Sequence, residues 1–177
     1  TSMLSKGFSL FNTKLQTMVD YNHTNTYISQ DGMRMPLQTD GLWLKTSLNM
    51  VLWKGMDFNY ALSYRWSKMY MPDWDKRSSL NNWHHEAQAT IPLVGAMKLE
   101  TNLEWYRNQL PDRGYKDMVF VDLALGYVGR HIDCKLKLTN ALNKSSYAYS
   151  MNNDLVRTTT DMRVRGRELV LTLTYRP

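Results

Sequence analysis

The sequence contains one cysteine and no long hydrophobic run, and each absence excludes a class of structure. Cys134 has no second cysteine to pair with, so no disulfide can form within the chain. Its apolar neighbours at alternate positions, such as Leu136, indicate a small apolar filler rather than a reactive thiol. No apolar stretch approaches the roughly 18 residues that a membrane helix requires, which excludes a helical membrane protein.

Motifs that carry chemistry are also missing. The sequence has no Gly-x-Ser-x-Gly elbow, no phosphate-binding loop and no Cys-x-x-Cys pair. Adjacent side chains on a strand point to opposite faces, so His84 and His85 are not expected to bind one metal. Glu100 and Glu104 would lie about 13 Å apart along a strand, too far for a glycosidase-type acid and base pair. We predict no catalytic, cofactor-binding or metal-binding residue and no enzyme activity.

The charge balance is basic but not concentrated. A net charge of +6 and a pI near 9.4 raise the question of a nucleic-acid partner. The basic residues are scattered apart from Arg163, Arg165 and Arg167, and no nucleic-acid-binding motif accompanies them, so no such partner is predicted. A mean hydropathy of −0.50 fits one soluble domain, and it also fits a membrane barrel, whose lumen-facing residues are polar.

What the sequence does contain is alternation, which is clearest over residues 41–71. Leu42, Leu44 and Leu48 alternate with polar residues such as Lys45 and Asn49. A period of two is typical of a β-strand with two unlike faces. After a turn at residues 54–57 the pattern resumes, so the segment is predicted to be a hairpin. Each arm has about 12 residues, roughly twice a usual soluble strand and enough to cross a bilayer when tilted.

The rest of the chain repeats this hairpin, giving about eight strands. Besides the hairpin, the predicted strands are residues 7–28, 82–91, 97–105, 119–127, 132–139 and 163–175. Short turns are predicted at residues 54–57, 92–95 and 129–131. Long polar connections are predicted at residues 72–80, 109–117 and 143–162, with 29–40 a loop or a bent strand extension. Strict alternation of short turns and long loops is typical of outer-membrane barrels, and both chain ends are expected on the short-turn side.

These patterns predict an all-β fold, an antiparallel up-and-down transmembrane β-barrel in the outer membrane of a Gram-negative cell. Residues 1–177 would form one barrel domain or part of one, in contact with outer-membrane lipid. The aromatic residues near predicted strand ends are Trp53, Trp66, Tyr127 and Tyr175, and they would form interfacial girdles. The side chains predicted to face lipid are Leu44, Leu48, Leu62, Leu123 and Leu136. Those predicted to face the lumen are Lys45, Asn59, Lys98 and Asp122.

Two stretches near the C-terminus resemble a known family. Residues 138–147, Leu-Thr-Asn-Ala-Leu-Asn-Lys-Ser-Ser-Tyr, are similar to the Asn-Leu-Phe-Asn/Asp-Lys-x-Tyr signature in the penultimate strand of TonB-dependent outer-membrane receptors. Residues 165–175 are similar to the closing strand of those receptors, Gly-Arg followed by alternating apolar residues. The sequence departs from the family at Ala141-Leu142, in place of Leu-Phe, and at its ending, which is not a terminal aromatic residue. The two stretches span about 40 residues.

This resemblance implies a function and partners. It implies the membrane-spanning wall of an energy-coupled transporter that takes up a nutrient solute, such as a metal chelate, cobalamin, a glycan or a peptide. Family members have a 22-stranded barrel closed by a plug that contacts TonB. A chain with about eight strands and nothing plug-like would be the C-terminal portion of such a receptor, coupled to TonB through a plug outside it.

Two other interpretations stay open at the level of sequence. A small complete eight-stranded barrel with a structural or adhesive role would have a bore filled by side chains. Lys98, Glu100 and Glu104 would then have to pair closely, whereas a wide lumen solvates them, which favours the larger barrel. A soluble lipocalin-like ligand-binding barrel would place the apolar face inside. It predicts an N-terminal Gly-x-Trp and a helix after the last strand, and neither is present.

Overall fold

A computed structural model describes residues 1–30, 32–111, 114–152 and 157–177, and in these residues the fold is all-β. The strands are β1 (Ser2–Phe8), β2 (Thr13–Gln30), β3 (Met33–Val51), β4 (Asp57–Met71), β5 (Lys76–Pro92), β6 (Met97–Leu110), β7 (Gly114–Val128), β8 (Ile132–Thr139), β9 (Ser146–Asn152), β10 (Arg157–Arg163) and β11 (Glu168–Tyr175). Single 3-10 turns occupy Leu10–Asn12, Trp53–Gly55 and Pro72–Trp74. Across these same described ranges, no helix has the length and apolarity needed to span a bilayer.

Nine strands form one sheet in the order β1-β2-β3-β4-β5-β6-β7-β8-β11, while β9 and β10 form a separate hairpin. Each pair of neighbours is antiparallel. The predicted antiparallel up-and-down architecture is confirmed, with nine strands in the sheet instead of about eight. The sheet is not closed, because β1 and β11 are its two edges in the described part of the chain.

The strand register separates the side chains into two faces. Leu48 lies opposite Leu15 on β2 and Tyr60 on β4. Its neighbour Asn49 lies opposite Lys14 and Asn59. Directly opposite residues share a face, and following them from strand to strand as far as β11 defines an apolar face. This face includes Leu44, Leu48, Leu62, Leu103, Leu123, Leu136 and Leu171. The same register also defines a polar face, which includes Lys45, Asn59, Lys98, Glu100, Asp122 and Lys135. The predicted grouping of these residues into two faces is confirmed.

The first strand differs from its prediction. Residues 7–28 do not form one strand, because the chain turns at residues 9–12 and β1 pairs back along β2. Phe11 and Asn12 have φ of 53° and 45°, and the Asn12 N–H bonds the Ser9 carbonyl. The alternation did not reveal this turn, because apolar and polar residues alternate on both sides of the four-residue segment. Consequently the first strand begins at Ser2, which lies opposite Val19, part-way along β2. The prediction that both chain ends lie on the short-turn side was therefore wrong for the N-terminal end.

The predicted long connections at 72–80 and 109–117 were also wrong. Within 29–40, residues 29–30 extend β2 and residues 33–40 belong to β3, so the strand extension was the correct one of the two alternatives. Strands β4 and β5 are separated only by residues 72–75, and β6 and β7 by 111–113, of which 112–113 lie outside the described residues. In these extensions the apolar residues occupy the positions of the polar face, as Met69 and Leu80 do, so the alternation of the adjoining strand is not continued although the backbones pair. Pro36 is tolerated in β3 because residues 33–37 pair with β2 alone, which leaves the other side of the strand free of a ladder.

We call the sheet end with the turns at 9–12, 52–56, 93–96 and 129–131 the turn end, and the opposite end the extended end. At the extended end, apolar residues occupy the positions of the polar face and form the main buried cluster, Ile28, Met35, Leu37, Met69 and Met71. Tyr127 and Tyr175 lie at strand ends, as predicted. Trp66 lies inside β4 because that strand continues to Met71, and the side chain of Trp53 lies outside the described residues.

The segment predicted as the longest connection, residues 143–162, contains most of a second hairpin. Strands β9 and β10 pair from Asn152 opposite Arg157 to Ser146 opposite Arg163, with residues 153–156 outside the described part. Because β10 ends at Arg163, the last strand of the sheet begins at Glu168 and not at residue 163. We call β9 and β10 the cover hairpin, since its contacts lie on the polar face of the sheet.

Candidate functional site

The cover hairpin is anchored by a buried asparagine in the turn after β8. The Asn140 amide nitrogen donates to the carbonyl oxygens of Lys144 and Arg165, each at 2.7 Å, and its amide oxygen accepts from the Lys144 N–H at 2.8 Å. Asn140 is 7% exposed and has φ of 48°, in the left-handed region that asparagine tolerates better than most residues. One side chain therefore joins the chain entering the hairpin to the chain leaving it.

A second asparagine completes this junction. Asn143 has φ of 52°, and its amide oxygen accepts the backbone N–H of Arg167 at 3.0 Å. A Cβ on the neighbouring Gly166 would lie 3.2 Å from the same oxygen, so the approach is tight. The two stretches that carry the family resemblance, residues 138–147 and 165–175, therefore contact each other directly.

Two asparagines of the sheet hold the free edge of β9. Asn108 Nδ2 donates to the carbonyl oxygen of Ala148 at 3.0 Å, and Asn82 Nδ2 donates to that of Ser150 at 3.3 Å. Asn82 and Asn108 are themselves opposite each other on β5 and β6, on the polar face. The carbonyls of alternate residues point the same way along a strand, so two side-chain amides serve here as a neighbouring strand would. The hairpin is thus bound through its backbone.

Polar contacts continue toward the tip of the hairpin. Asn152 Nδ2 donates to the Ser67 hydroxyl at 3.2 Å, and its amide oxygen accepts from Ser78 at 2.9 Å. The Arg157 guanidinium donates to the same Ser78 hydroxyl at 2.5 Å and to the Ser79 carbonyl at 3.3 Å. These contacts fix the hairpin over strands β4 and β5 as well as β6.

Aromatic rings fill the space between the sheet and the base of the hairpin. His84 stacks on Tyr106 with ring centroids 4.2 Å apart, and Tyr106 meets Tyr147 edge to face at 5.0 Å. Tyr149 lies 5.7 Å from Tyr147. Burial raises the pKa of the Tyr147 phenol above its ordinary value, so this hydroxyl stays protonated at neutral pH. Protonated phenols are hydrogen-bond donors, and their rings are flat apolar surfaces.

Two adjoining cavities lie beside this cluster, between the sheet and the hairpin. Their volumes are about 230 Å³ and about 400 Å³. Both are lined by Arg65, Asn82, Tyr147 and Tyr149. A guanidinium, an amide and two tyrosines can bind a ligand through hydrogen bonds and ring contacts.

The polar face nearer the turn end is organised around Glu100. Its carboxylate lies 2.7 Å from the ammonium of Lys98 and 2.5 Å from that of Lys135. Gly126 separates the two lysines in the register, and its missing side chain leaves room, since a Cβ there would lie 3.3 Å from the Lys98 stem. Asp122 pairs with Lys137 at 3.5 Å. The side chains in these pairs are between 28% and 47% exposed, so water reaches them.

The other residues weighed in the sequence are placed as follows. His84 lies on the polar face, and His85 lies on the apolar face, where it bonds the Tyr60 hydroxyl and stacks on Trp105. Glu104 lies 3.7 Å from His84. In the described ranges no three His, Cys, Asp or Glu side chains are grouped closely enough to hold a metal ion. Sequence reasoning did not single out Asn82, Asn108 or Tyr149, because their partners are remote in the chain.

Comparison with known proteins identifies no relative. No family model matches the chain, and neither a curated protein nor a solved structure is significantly similar to it.

Proposed function

We propose that this chain is a membrane-spanning wall segment of a TonB-dependent outer-membrane transporter, with the cover hairpin as an external loop folded over the passage. The observation that carries the proposal is the division of one nine-stranded antiparallel sheet into an apolar face and a charged face. Only helices and closed barrels satisfy all backbone groups in a bilayer. In a barrel, the apolar face contacts lipid and the charged face lines the lumen.

The number of strands supports a larger barrel. Bacterial single-chain barrels have an even number of antiparallel strands, whereas this sheet has nine. In a nine-stranded antiparallel sheet the two edge strands, β1 and β11, run in the same direction. Direct closure would require a parallel pair, so further strands between these edges are the simpler way to close the wall. Each backbone N–H or C=O group on an edge strand costs several kcal/mol if it is left without a hydrogen-bond partner in hydrocarbon.

The charged residues support a wide lumen. Glu100, Lys98 and Lys135 form a cluster of one carboxylate and two ammonium groups. A bore just wide enough for side chains would bury these charges, and each would carry a penalty of several kcal/mol before pairing. A wide, hydrated lumen avoids that penalty.

The aromatic residues of the apolar face support a membrane boundary near the extended end. Trp66 Nε1 donates to Ser79, and Trp105 Nε1 donates to Asp117, each at 3.1 Å. Their rings lie on the apolar face while their N–H groups reach polar partners, the arrangement favoured at a membrane interface. From Phe58 to Trp66 the strand rises about 26 Å at 3.3 Å per residue, and a tilt of about 40° leaves about 20 Å of height, most of the roughly 25 Å apolar band of such barrels.

The resemblance of residues 138–147 and 165–175 to TonB-dependent receptors supplies the transport class. The contacts of Asn140 and Asn143 give those residues a structural role, namely fixing the base of a loop above the closing strand. Within the proposal, the cavities lined by Arg65, Asn82, Tyr147 and Tyr149 lie on the solute's route. The partners are outer-membrane lipid, the solute, and TonB acting through a plug outside this chain.

Growth and uptake assays test the proposal in cells. The protein at its native length should fractionate with the outer membrane. Deleting its gene should prevent growth on one limiting nutrient from a panel of iron chelates, cobalamin, glycans and peptides, and a protonophore should stop that uptake in the wild type. A soluble monomer that unfolds cooperatively without detergent would refute the membrane assignment. Outer-membrane location with no energy-dependent uptake would instead indicate a structural barrel.

Tethering the hairpin tests its place on the route. Lys116 on β7 and Asp161 on β10 form a partly exposed ion pair at 3.9 Å. Lys116→Cys with Asp161→Cys, joined by a bifunctional maleimide in a Cys134→Ser background, should leave assembly intact and reduce uptake at least tenfold. The same reagent on either single-cysteine variant is the control. Undiminished uptake after complete tethering would show that the solute does not pass beneath the hairpin.

A further inference from the structure

A repeated pair of residues lies near the extended end of the apolar face. The Arg34 guanidinium lies 4.5 Å from the ring centroid of Tyr27, at the β2–β3 hairpin. Arg77 lies 4.8 Å from Tyr70 at the β4–β5 hairpin. Strands β6 and β7 carry a third pair, Arg107 and Tyr115, near their shared extended end. The β2–β3, β4–β5 and β6–β7 hairpins thus each carry one arginine placed over a tyrosine ring.

The third pair has the same geometry and lies on the same face. The Arg107 guanidinium lies 4.8 Å from the Tyr115 ring. Arg107 shares its face with Trp105 two residues earlier, and the register places Trp83 directly opposite. Parity along the strands puts Arg34 on the same face as Leu42, and Tyr70 on the same face as Trp66. The three arginines therefore belong to the apolar face, beside its aromatic residues, and not to the polar face.

These cations are accessible and only partly neutralised. All three arginines are exposed, as are Tyr27 and Tyr115. In the described part of the chain, Asp75 is the one carboxylate within salt-bridge distance of them, 3.3 Å from Arg77, and both side chains of that pair are more than 60% exposed. Asp117 lies opposite Arg107 but accepts a hydrogen bond from Trp105. Lys68 adds a fourth cation on this face, opposite Asp40.

We propose that Arg34, Arg77 and Arg107, each held over a tyrosine ring, form a belt that binds phosphate-bearing lipid headgroups of the membrane leaflet around the extended end. The inference rests on the proposed membrane-spanning wall. We call these three residues the arginine belt.

The chemistry of the belt fits this partner. A guanidinium binds phosphate oxygens through two parallel hydrogen bonds, and stacking on an aromatic ring fixes its plane without using its donor edge. Cations at the border of the apolar face meet the phosphates of lipids, and the acyl chains of the same lipids cover the leucines below. A solute in the lumen would meet the opposite face. The repeat on three successive hairpins matches a ring of lipids around a barrel rather than one soluble anion.

Lipid binding by the protein at its native length, purified in a zwitterionic detergent, tests the belt. The probes are lipid A, which carries phosphomonoesters, and phosphatidylcholine, with bound lipid counted by native mass spectrometry. The triple variant Arg34→Gln, Arg77→Gln, Arg107→Gln should bind lipid A less tightly by about fivefold for each arginine, or about a hundredfold in all. Its phosphatidylcholine binding should be unchanged, and wild-type affinity for lipid A should fall as salt rises.

A matched control removes the same charge elsewhere. Arg130→Gln, Arg163→Gln, Arg165→Gln changes three exposed arginines in the β7–β8 turn, on β10 and in the connection after it. This variant should keep wild-type affinity for lipid A. Heat-modified gel mobility identifies which variants are folded, and the salt dependence of the wild type is informative even if the triple variant does not fold.

The outcomes separate the belt from the function on which it rests. Equal affinity of the wild type for both lipids, equal losses in the two triple variants, or full competition by inorganic phosphate would each overturn the lipid belt. All three leave the membrane assignment standing if the protein still fractionates with the outer membrane. Failure to enter membranes would overturn both proposals.

Discussion

The amide of Asn140 donates a hydrogen bond of 2.7 Å to the carbonyl oxygen of Arg165, which lies 25 residues further along the chain. This bond closes the base of the cover hairpin and connects the turn after β8 to the segment that leads into β11. Because Asn140 also bonds Lys144 twice, one buried side chain determines how the chain leaves and re-enters the sheet.

Replacing Asn140 tests this junction. Asn140→Ala removes three hydrogen bonds worth about 1 kcal/mol each and places alanine at positive φ, which adds about 1 kcal/mol. We expect a loss of about 3 to 4 kcal/mol in the apparent free energy of unfolding, with faster proteolysis of the cover hairpin. Asn140→Gly should cost about 1 kcal/mol less, since glycine relieves only the backbone term. Equal stability of wild type and Asn140→Ala would contradict the assigned role.

Adjacent substitutions on β3 test the orientation of the sheet. Leu48→Arg places a charge on the apolar face and should cost about 2 to 4 kcal/mol near the bilayer midplane. Asn49→Arg, on the polar face, should be tolerated. Folding yield into lipid vesicles, read by heat-modified gel mobility, measures both. The reverse order of tolerance would mean that the apolar face does not contact lipid.

A cysteine pair tests whether the two edge strands meet. Ser5 on β1 and Thr172 on β11 both belong to the polar face, opposite Gln16 and Lys135 respectively. In a Cys134→Ser background, Ser5→Cys with Thr172→Cys should not form a disulfide within one molecule in the membrane. Ser5→Cys with Gln16→Cys, on neighbouring strands, is the positive control. Efficient bridging between β1 and β11 would establish a small nine-stranded barrel and remove the main support for a larger one.

A double-mutant cycle tests whether the polar face is hydrated. Glu100→Gln and Lys135→Gln, singly and together, give the coupling energy of their ion pair. In a wide lumen we expect about 1 kcal/mol or less, decreasing with added salt, since partly exposed pairs are screened by water and ions. In a narrow bore, each single substitution would leave one buried charge without its partner, and the free energy of unfolding would fall by about 3 to 5 kcal/mol. That larger value would exclude the hydrated lumen.

The sequence determined the two faces wherever alternation was present, and it determined the elements too, except at residues 9–12, where a turn interrupts the predicted first strand. Strand β8 was predicted at residues 132–139 and occurs at those residues, because its apolar and charged residues alternate without interruption. The strand extensions on both sides of residues 72–75 were missed, and at residues 29–40 an extension was one of two alternatives left open. Their apolar residues, such as Leu37 and Met69, occupy the positions of the polar face, so the alternation of the adjoining strand is not continued although the backbones pair.

Only the tertiary structure decided which remote groups meet. The sequence indicated that charges such as Glu100 need partners or water, but the register of β6, β7 and β8 selected Lys135, and Gly126 made the space. Likewise, nothing in the sequence indicated the hydrogen bond between Asn108 and Ala148, which lies 40 residues away. Periodicity is a local property that each segment expresses alone, whereas a hydrogen bond between distant residues exists only after the strands between them have paired. The sequence therefore determined the two faces of the sheet, and the folded chain alone decided that a hairpin covers one of them.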